Sequence, residues 1–192
     1  MPTIEPVPMQ DIAPDVRATL EKAVADGRMA SPTFLQIVAY NGALLRMHAS
    51  AYQREQPSLL SARLRELIRV RSAQIAGCDE CQAARYDETV TDKTAACLIA
   101  GTQDELDERE ALVMRFVTKM HLDHHSIDGA FYRALARFYS IAEIVEIGQL
   151  TATLLGAHRW IHTLDLLGKD ATLSYSRAEV DTKRQGCAST AT

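Results

Sequence analysis

In the stretch SLLSARLRELIRVRSAQIA, residues 58 to 76, Leu59, Ala62, Val70 and Ala73 fall at helical spacings on one face. Arg63, Arg65, Arg69 and Arg71 surround that face on the others, and one acidic residue, Glu66, interrupts it. A carboxylate placed on an apolar stripe either pairs with an arginine, here Arg63 or Arg69, or serves as a general base near neutral pH. The rest of the chain reads as helix too. All six prolines (Pro2, Pro6, Pro8, Pro14, Pro32 and Pro57) lie in the first 57 residues, and the long remainder has sparse glycine and few β-branched runs. The pattern predicts an all-α fold of seven to eight helices, over about 14–26, 32–52, 57–76, 78–89, 92–100, 105–122, 127–138 and 141–167. Gly27, Gly101 and Gly168 mark helix ends, Pro14, Pro32 and Pro57 mark starts, and Ser31 is placed to cap the second helix. Ser140 and Glu143 have capping-box spacing, which separates the last two helices.

A chain of 192 residues with 47% hydrophobic content suits one globular domain, expected over 1–175 with a proline-rich arm over 1–13. The polar tail, 176–192, lacks helix signals and is expected to be mobile, and Cys187 within it to be incidental. A formal net charge of -4 disfavours nucleic acid as a partner, since that needs clustered basic residues on one face. No segment is apolar enough to suggest a membrane partner, and the start MPTIEPVPMQDIAP lacks the basic and apolar regions of a signal peptide. A cytoplasmic location is the expectation. Cysteines at 78, 81, 97 and 187 are too few and uneven for a disulfide framework, and they fit a reducing compartment where a close pair is catalytic or metal-binding.

The pair lies in IAGCDECQAARY, residues 75 to 86. If Gly77 ends one helix and Cys78 opens the next, Cys78 and Cys81 fall in its first turn, at a spacing that lets them close a disulfide with little backbone movement. Backbone N–H groups at a helix start favour a thiolate, whereas Asp79 and Glu80 between the sulfurs work against one. Arg85, four residues after Cys81, either assists the thiolate electrostatically or pairs with Asp87 or Glu88 in solvent. It stays protonated and cannot carry a proton.

A glutamate twelve positions before a CxxC that opens a helix, as in ELIRVRSAQIAGCDEC from Glu66 to Cys81, resembles the alkyl hydroperoxidase D-like (AhpD-like) branch of the carboxymuconolactone decarboxylase family. With SIAEIVEIGQLTATLLGAHRWIHTLDLLG, the resemblance covers roughly residues 30 to 170. It implies a helical subunit assembling as a homo-oligomer (trimer, hexamer or dimer) and a peroxidase that needs no cofactor and reduces hydroperoxides. By position, Cys81 is the attacking thiolate, Cys78 closes the disulfide and Glu66 heads a proton relay. The implied partners are a hydroperoxide or other small-molecule substrate and a dithiol reductant protein, lipoylated or thioredoxin-like. The family motif usually ends with a histidine four residues after the second cysteine, and Arg85 stands there. His158 and His162, four apart on the last long helix, are the candidates to line the site in its place; a packing or surface role beside Trp160 is their other reading.

Other chemistries compete for the same residues. Zinc at the CxxC would need ligands such as His121 and His125, His158 and His162, or Cys97, but His121 lies forty residues beyond Cys81 and no second CxxC exists, so no metal is expected. A lactone decarboxylase on the same fold needs no thiol pair. A non-catalytic oligomeric binding protein could use the pair as a redox sensor. Walker, dinucleotide-binding and nucleophile-elbow motifs are absent.

Overall fold

The computed structural model describes residues 2–26, 31–50, 57–83, 86–101 and 105–167. Among these it holds nine α-helices, two 3-10 turns and no strand, the all-helical architecture that the proline and glycine pattern predicts. The chain gathers into two compact units, Met1–Gln56 with Thr163–Thr192, and Pro57–His162.

The first unit contains a 3-10 turn Met9–Asp11, α1 (Pro14–Ala25), α2 (Thr33–Val38) and α3 (Gly42–Ser50). Pro14 opens α1, where its missing N–H costs nothing. Ile12, Val16, Leu20, Ala23, Leu35, Val38 and Leu45 form one apolar cluster. The proline-rich arm joins it: Val7 and Met9 pack on the cluster, and Val7 exchanges two hydrogen bonds with Gln36, through the backbone at 3.2 Å and the side-chain amide at 3.0 Å. The sequence predicts one helix over 32–52, but the structure breaks it after Val38. Asn41 is the cause: its side-chain oxygen accepts from the Leu44 N–H at 3.2 Å, so the chain restarts as α3. Ser31 is not the cap residue it is predicted to be: Pro32 stands at the cap position of α2, and the Ser31 hydroxyl, one residue earlier, accepts from the Thr33 N–H at 3.2 Å.

The second unit holds α4 (Ala62–Ala76), α5 (Asp79–Ala83), α6 (Asp92–Ala100), α7 (Glu108–Leu122), a 3-10 turn His124–Ser126, α8 (Gly129–Leu135) and most of α9 (Ile141–Thr163). α4 begins at Ala62 and not at Pro57, because Ser61 caps it, accepting from the Leu64 N–H at 3.1 Å. Before the cap, Glu146 of α9 accepts from the Leu59 N–H at 2.8 Å and from the Ser58 hydroxyl, which draws residues 58–59 off the helix path. α4 packs along α7, and their inner faces share a core that includes Leu67, Ile68, Val113, Phe116 and Val117. Each such burial stabilises the fold by about 1.5–3 kcal/mol. Arg63 ties α4 to three later segments, reaching Glu110 at 2.7 Å, the Glu105 carbonyl at 2.9 Å and the Thr89 carbonyl. The predicted capping box at Ser140 and Glu143 is present, with N–H groups bonded at 2.7 and 3.3 Å, and Asp128 caps α8. The predicted ends at Gly27 and Gly168, and the tail with Cys187, lie outside the described residues.

Candidate redox site

α4 ends where the sequence places its end. Gly77 takes the left-handed conformation (φ 67°), and the Cys78 N–H turns back to the Ala73 carbonyl at 3.0 Å. That turn delivers Cys78 to the cap position of α5, so Cys78 stands just before the helix and Cys81 in its first turn. The Cys81 N–H donates to the Cys78 sulfur at 3.4 Å, and the two sulfurs are joined as a disulfide. Ala73, Cys78 and Cys81 form a small apolar cluster against which Ile161 of α9 packs. Cys81 is 9% exposed and Cys78 only 1%, so Cys81 is the more open of the two to solvent.

α5 runs for five residues, not to 89 as predicted. Beyond the helix, the Tyr86 N–H donates to Glu66 Oε1 at 3.1 Å, and a turn from Asp87 to Val90 comes after it. A buried carboxylate thus competes for the donor that a longer helix would have used. Arg85, the electrostatic and relay position, lies outside the described residues.

Glu66 is buried, as the stripe implies, and it is paired. Arg69 grips it in a two-pronged contact, Nε to Oε2 at 2.8 Å and Nη2 to Oε1 at 2.7 Å. The third arm of the guanidinium, Nη1, donates to the Cys81 carbonyl, and the ring of Tyr86 lies under its carbon at 4.5 Å. Arg69 therefore connects the predicted glutamate to the predicted cysteine. In the sequence it is only one of four arginines, and its spacing of three from Glu66 is the available signal. Both Glu66 oxygens are occupied, so in this disulfide form Glu66 reaches Cys81 through Arg69, which carries charge and no mobile proton. Glu80, read from sequence only as a negative charge, has its carboxyl pushed up by burial, and its Oε2 is buried without a hydrogen-bond partner.

The histidines divide. His162 is exposed, its Cε1 3.9 Å from where a side chain on Gly77 would begin. His158 is buried, its Nδ1 3.1 Å from the hydroxyl of Ser72, which lies 2.9 Å from Nε2 of His121. This buried His158–Ser72–His121 chain crosses α9, α4 and α7. Burial, then the charge of Arg69, then that of His121 push His158 down to about 4, against a smaller opposing hydrogen bond at Ser72. Burial followed by the charges of Arg159 and Arg71 brings His121 to about 4. Both rings are neutral at pH 7. Ser72 has one proton to give, so it donates to one ring and accepts from the other; because it meets Nδ1 of His158 and Nε2 of His121, both rings then hold the same tautomer. The chain is not legible in the sequence, because Ser72, His121 and His158 are far apart along it. Among the described residues no three His, Cys, Asp or Glu side chains converge as metal ligands, and His124 and His125 are exposed on a 3-10 turn. No helix among them is long and apolar enough to cross a membrane.

No family model and no curated protein matches the chain. Among solved structures, the apo crystal structure of the debrominase Bmp8 matches with a TM-score of 0.68 at 19% identity, covering 93% of this chain and 94% of that one. At that identity the match speaks for the fold: this chain shares its helical architecture, over nearly its whole length, with the debrominase Bmp8.

Proposed function

We propose that the protein is a dithiol oxidoreductase of the alkyl hydroperoxidase D-like kind, which reduces hydroperoxides with Cys78 and Cys81. One observation carries the reading: the two cysteines form a disulfide at a helix start, with Cys81 the more exposed residue of the pair. The Cys81 thiolate attacks the outer oxygen of ROOH, the O–O bond breaks, and RO⁻ leaves with a proton as ROH. The resulting Cys81 sulfenic acid is attacked by the Cys78 thiol, which releases water and forms the disulfide. A dithiol protein, lipoylated or thioredoxin-like, then reopens it. In total ROOH and two thiols give ROH, water and one disulfide.

Arg69, held by Glu66, positions the Cys81 backbone and supplies positive charge beside the thiolate. His158 takes the place of the family's missing histidine: it lies one turn before Ile161, which packs on the cysteines. Its Nδ1 is held at Ser72, so with that nitrogen protonated Nε2 alone takes the thiol proton and hands the same proton on to the leaving oxygen. The subunit assembles as a homo-oligomer, a reading supported by Ile141 and Val145 of α9, four apart and 71% and 65% exposed.

A second reading, reductive debromination, is favoured by the Bmp8 match. There Cys81 takes bromine from carbon, the ring carbon receives a proton, and Cys78 expels bromide as the disulfide closes. Turnover of cumene hydroperoxide and bromide release from a bromophenol, each with dithiothreitol as reductant, separate the two. Hydroperoxide consumption lost in both Cys81→Ser and Cys78→Ser supports the first reading. Bromide release without hydroperoxide turnover replaces it with the second.

A further inference from the structure

On the far side of α4 from Arg69, two residues and about 200° further round the helix, Arg71 enters a different environment. It is half-buried, with Nη1 donating to the Leu98 carbonyl at 2.8 Å and Nε to the Thr118 hydroxyl at 3.1 Å. Neither partner is charged, and no carboxylate among the described residues pairs with it. Burial pulls the guanidinium below its ordinary range with no acid to oppose the effect. A desolvated cation without a counter-charge is costly, and proteins seldom leave one without an anion to meet it.

Arg71 lines a cavity of about 280 Å³ between α4, α6 and α7. Arg115 and Lys119, one turn apart on α7, line it as well, while Leu98 and Met114 supply apolar wall. Neither added cation has a carboxylate partner among the described residues; Lys119 bonds the Ser126 hydroxyl. The nearby acids Glu105 and Glu110 are held by Lys93 and Arg63. Among the described residues no carboxylate lines the cavity itself. It is therefore lined by three cationic residues and an apolar wall, just below the usual size range of about 300–1,000 Å³ for ligand pockets.

We infer that this cavity binds a small organic monocarboxylate with an apolar body, the carboxylate held by Arg71, Arg115 and Lys119 and the body lying against Leu98 and Met114. The planar fork of a guanidinium matches a carboxylate, and the apolar wall demands more than a bare ion. The site is separate from the cysteines and independent of their chemistry.

The test is titration of the full chain with octanoate, read by calorimetry and by the methyl resonance of Met114 in protein carrying labelled methionine. Saturable one-to-one binding with a shift of the Met114 methyl is expected. Acetate, octanol and inorganic phosphate should each bind at least about tenfold more weakly, since each lacks one half of the match. Arg71→Met should weaken octanoate about tenfold or more, and the exposed Arg115→Ser, which leaves the fold intact, about threefold. Octanol equal to octanoate would mean a greasy patch, and phosphate equal to it a mere cluster of charge. Either result overturns the inference, as would no saturation by about 10 mM or unchanged binding in Arg115→Ser.

Discussion

Arg69 joins three parts of the candidate site: Glu66, the Cys81 carbonyl and the ring of Tyr86. A buried ion pair adds little net stability while whole, but breaking it strands a charge in a place that cannot solvate it. Arg69→Met is expected to cost about 3–5 kcal/mol in urea unfolding, and Arg69→Met with Glu66→Gln distinctly less, because the stranded carboxylate is then gone. The histidine chain makes a pH prediction. His121 and His158 each titrate at about 4 when folded, against an ordinary value of 6.5, so between those values the unfolded chain binds more protons. Stability is thus full above about pH 6.5 and falls as the pH drops toward 4, by on the order of 3 kcal/mol for each histidine. Glu80, raised by burial, works in the opposite sense. Urea midpoints measured across pH 4 to 7 should show the fall, and His121→Gln with His158→Gln should flatten it.

At the scale of elements, the features legible in the sequence are those set by local rules. α4 ends at Gly77 and α6 at Gly101 because each glycine takes a left-handed conformation, and the capping box at Ser140 and Glu143 opens α9 as its spacing implies. Gly77→Ala is expected to cost about 1–2 kcal/mol, from the backbone alone: the added carbon meets His162 only at 3.9 Å, an ordinary contact. Hidden from it are helix breaks decided by distant or competing polar groups. The Glu66 carboxylate captures the Tyr86 N–H and Glu146 captures that of Leu59, while the Asn41 side chain restarts α3. In the candidate site, Glu66, Cys78 and Cys81 are readable because they lie within sixteen residues on a helix and its cap. The Ser72 bridge is not, since it exists only after α4, α7 and α9 have packed.

For the whole molecule, α4 is the organising helix: its packing against α7 sets the core of the second unit, and its polar faces carry both the cysteine-side ion pair and the Arg71 cavity. Phe116 is fully buried in that core, so Phe116→Ala is expected to cost about 3–5 kcal/mol, with redox activity lost only in step with folding. If Ile141 and Val145 are covered by a second copy, Val145→Lys should lower the sedimenting mass of the assembly while leaving helical content unchanged. The central claim is that Cys78 and Cys81 are a working dithiol. Its most direct test is to reduce the protein, add one equivalent of cumene hydroperoxide, and count free thiols against time. A working pair predicts rapid loss of two of the four thiols per chain, with the new bond mapped by mass to Cys78 and Cys81, and no disulfide in Cys81→Ser. A thiol count that stays at four, or the same loss in Cys81→Ser as in the natural chain, would contradict it.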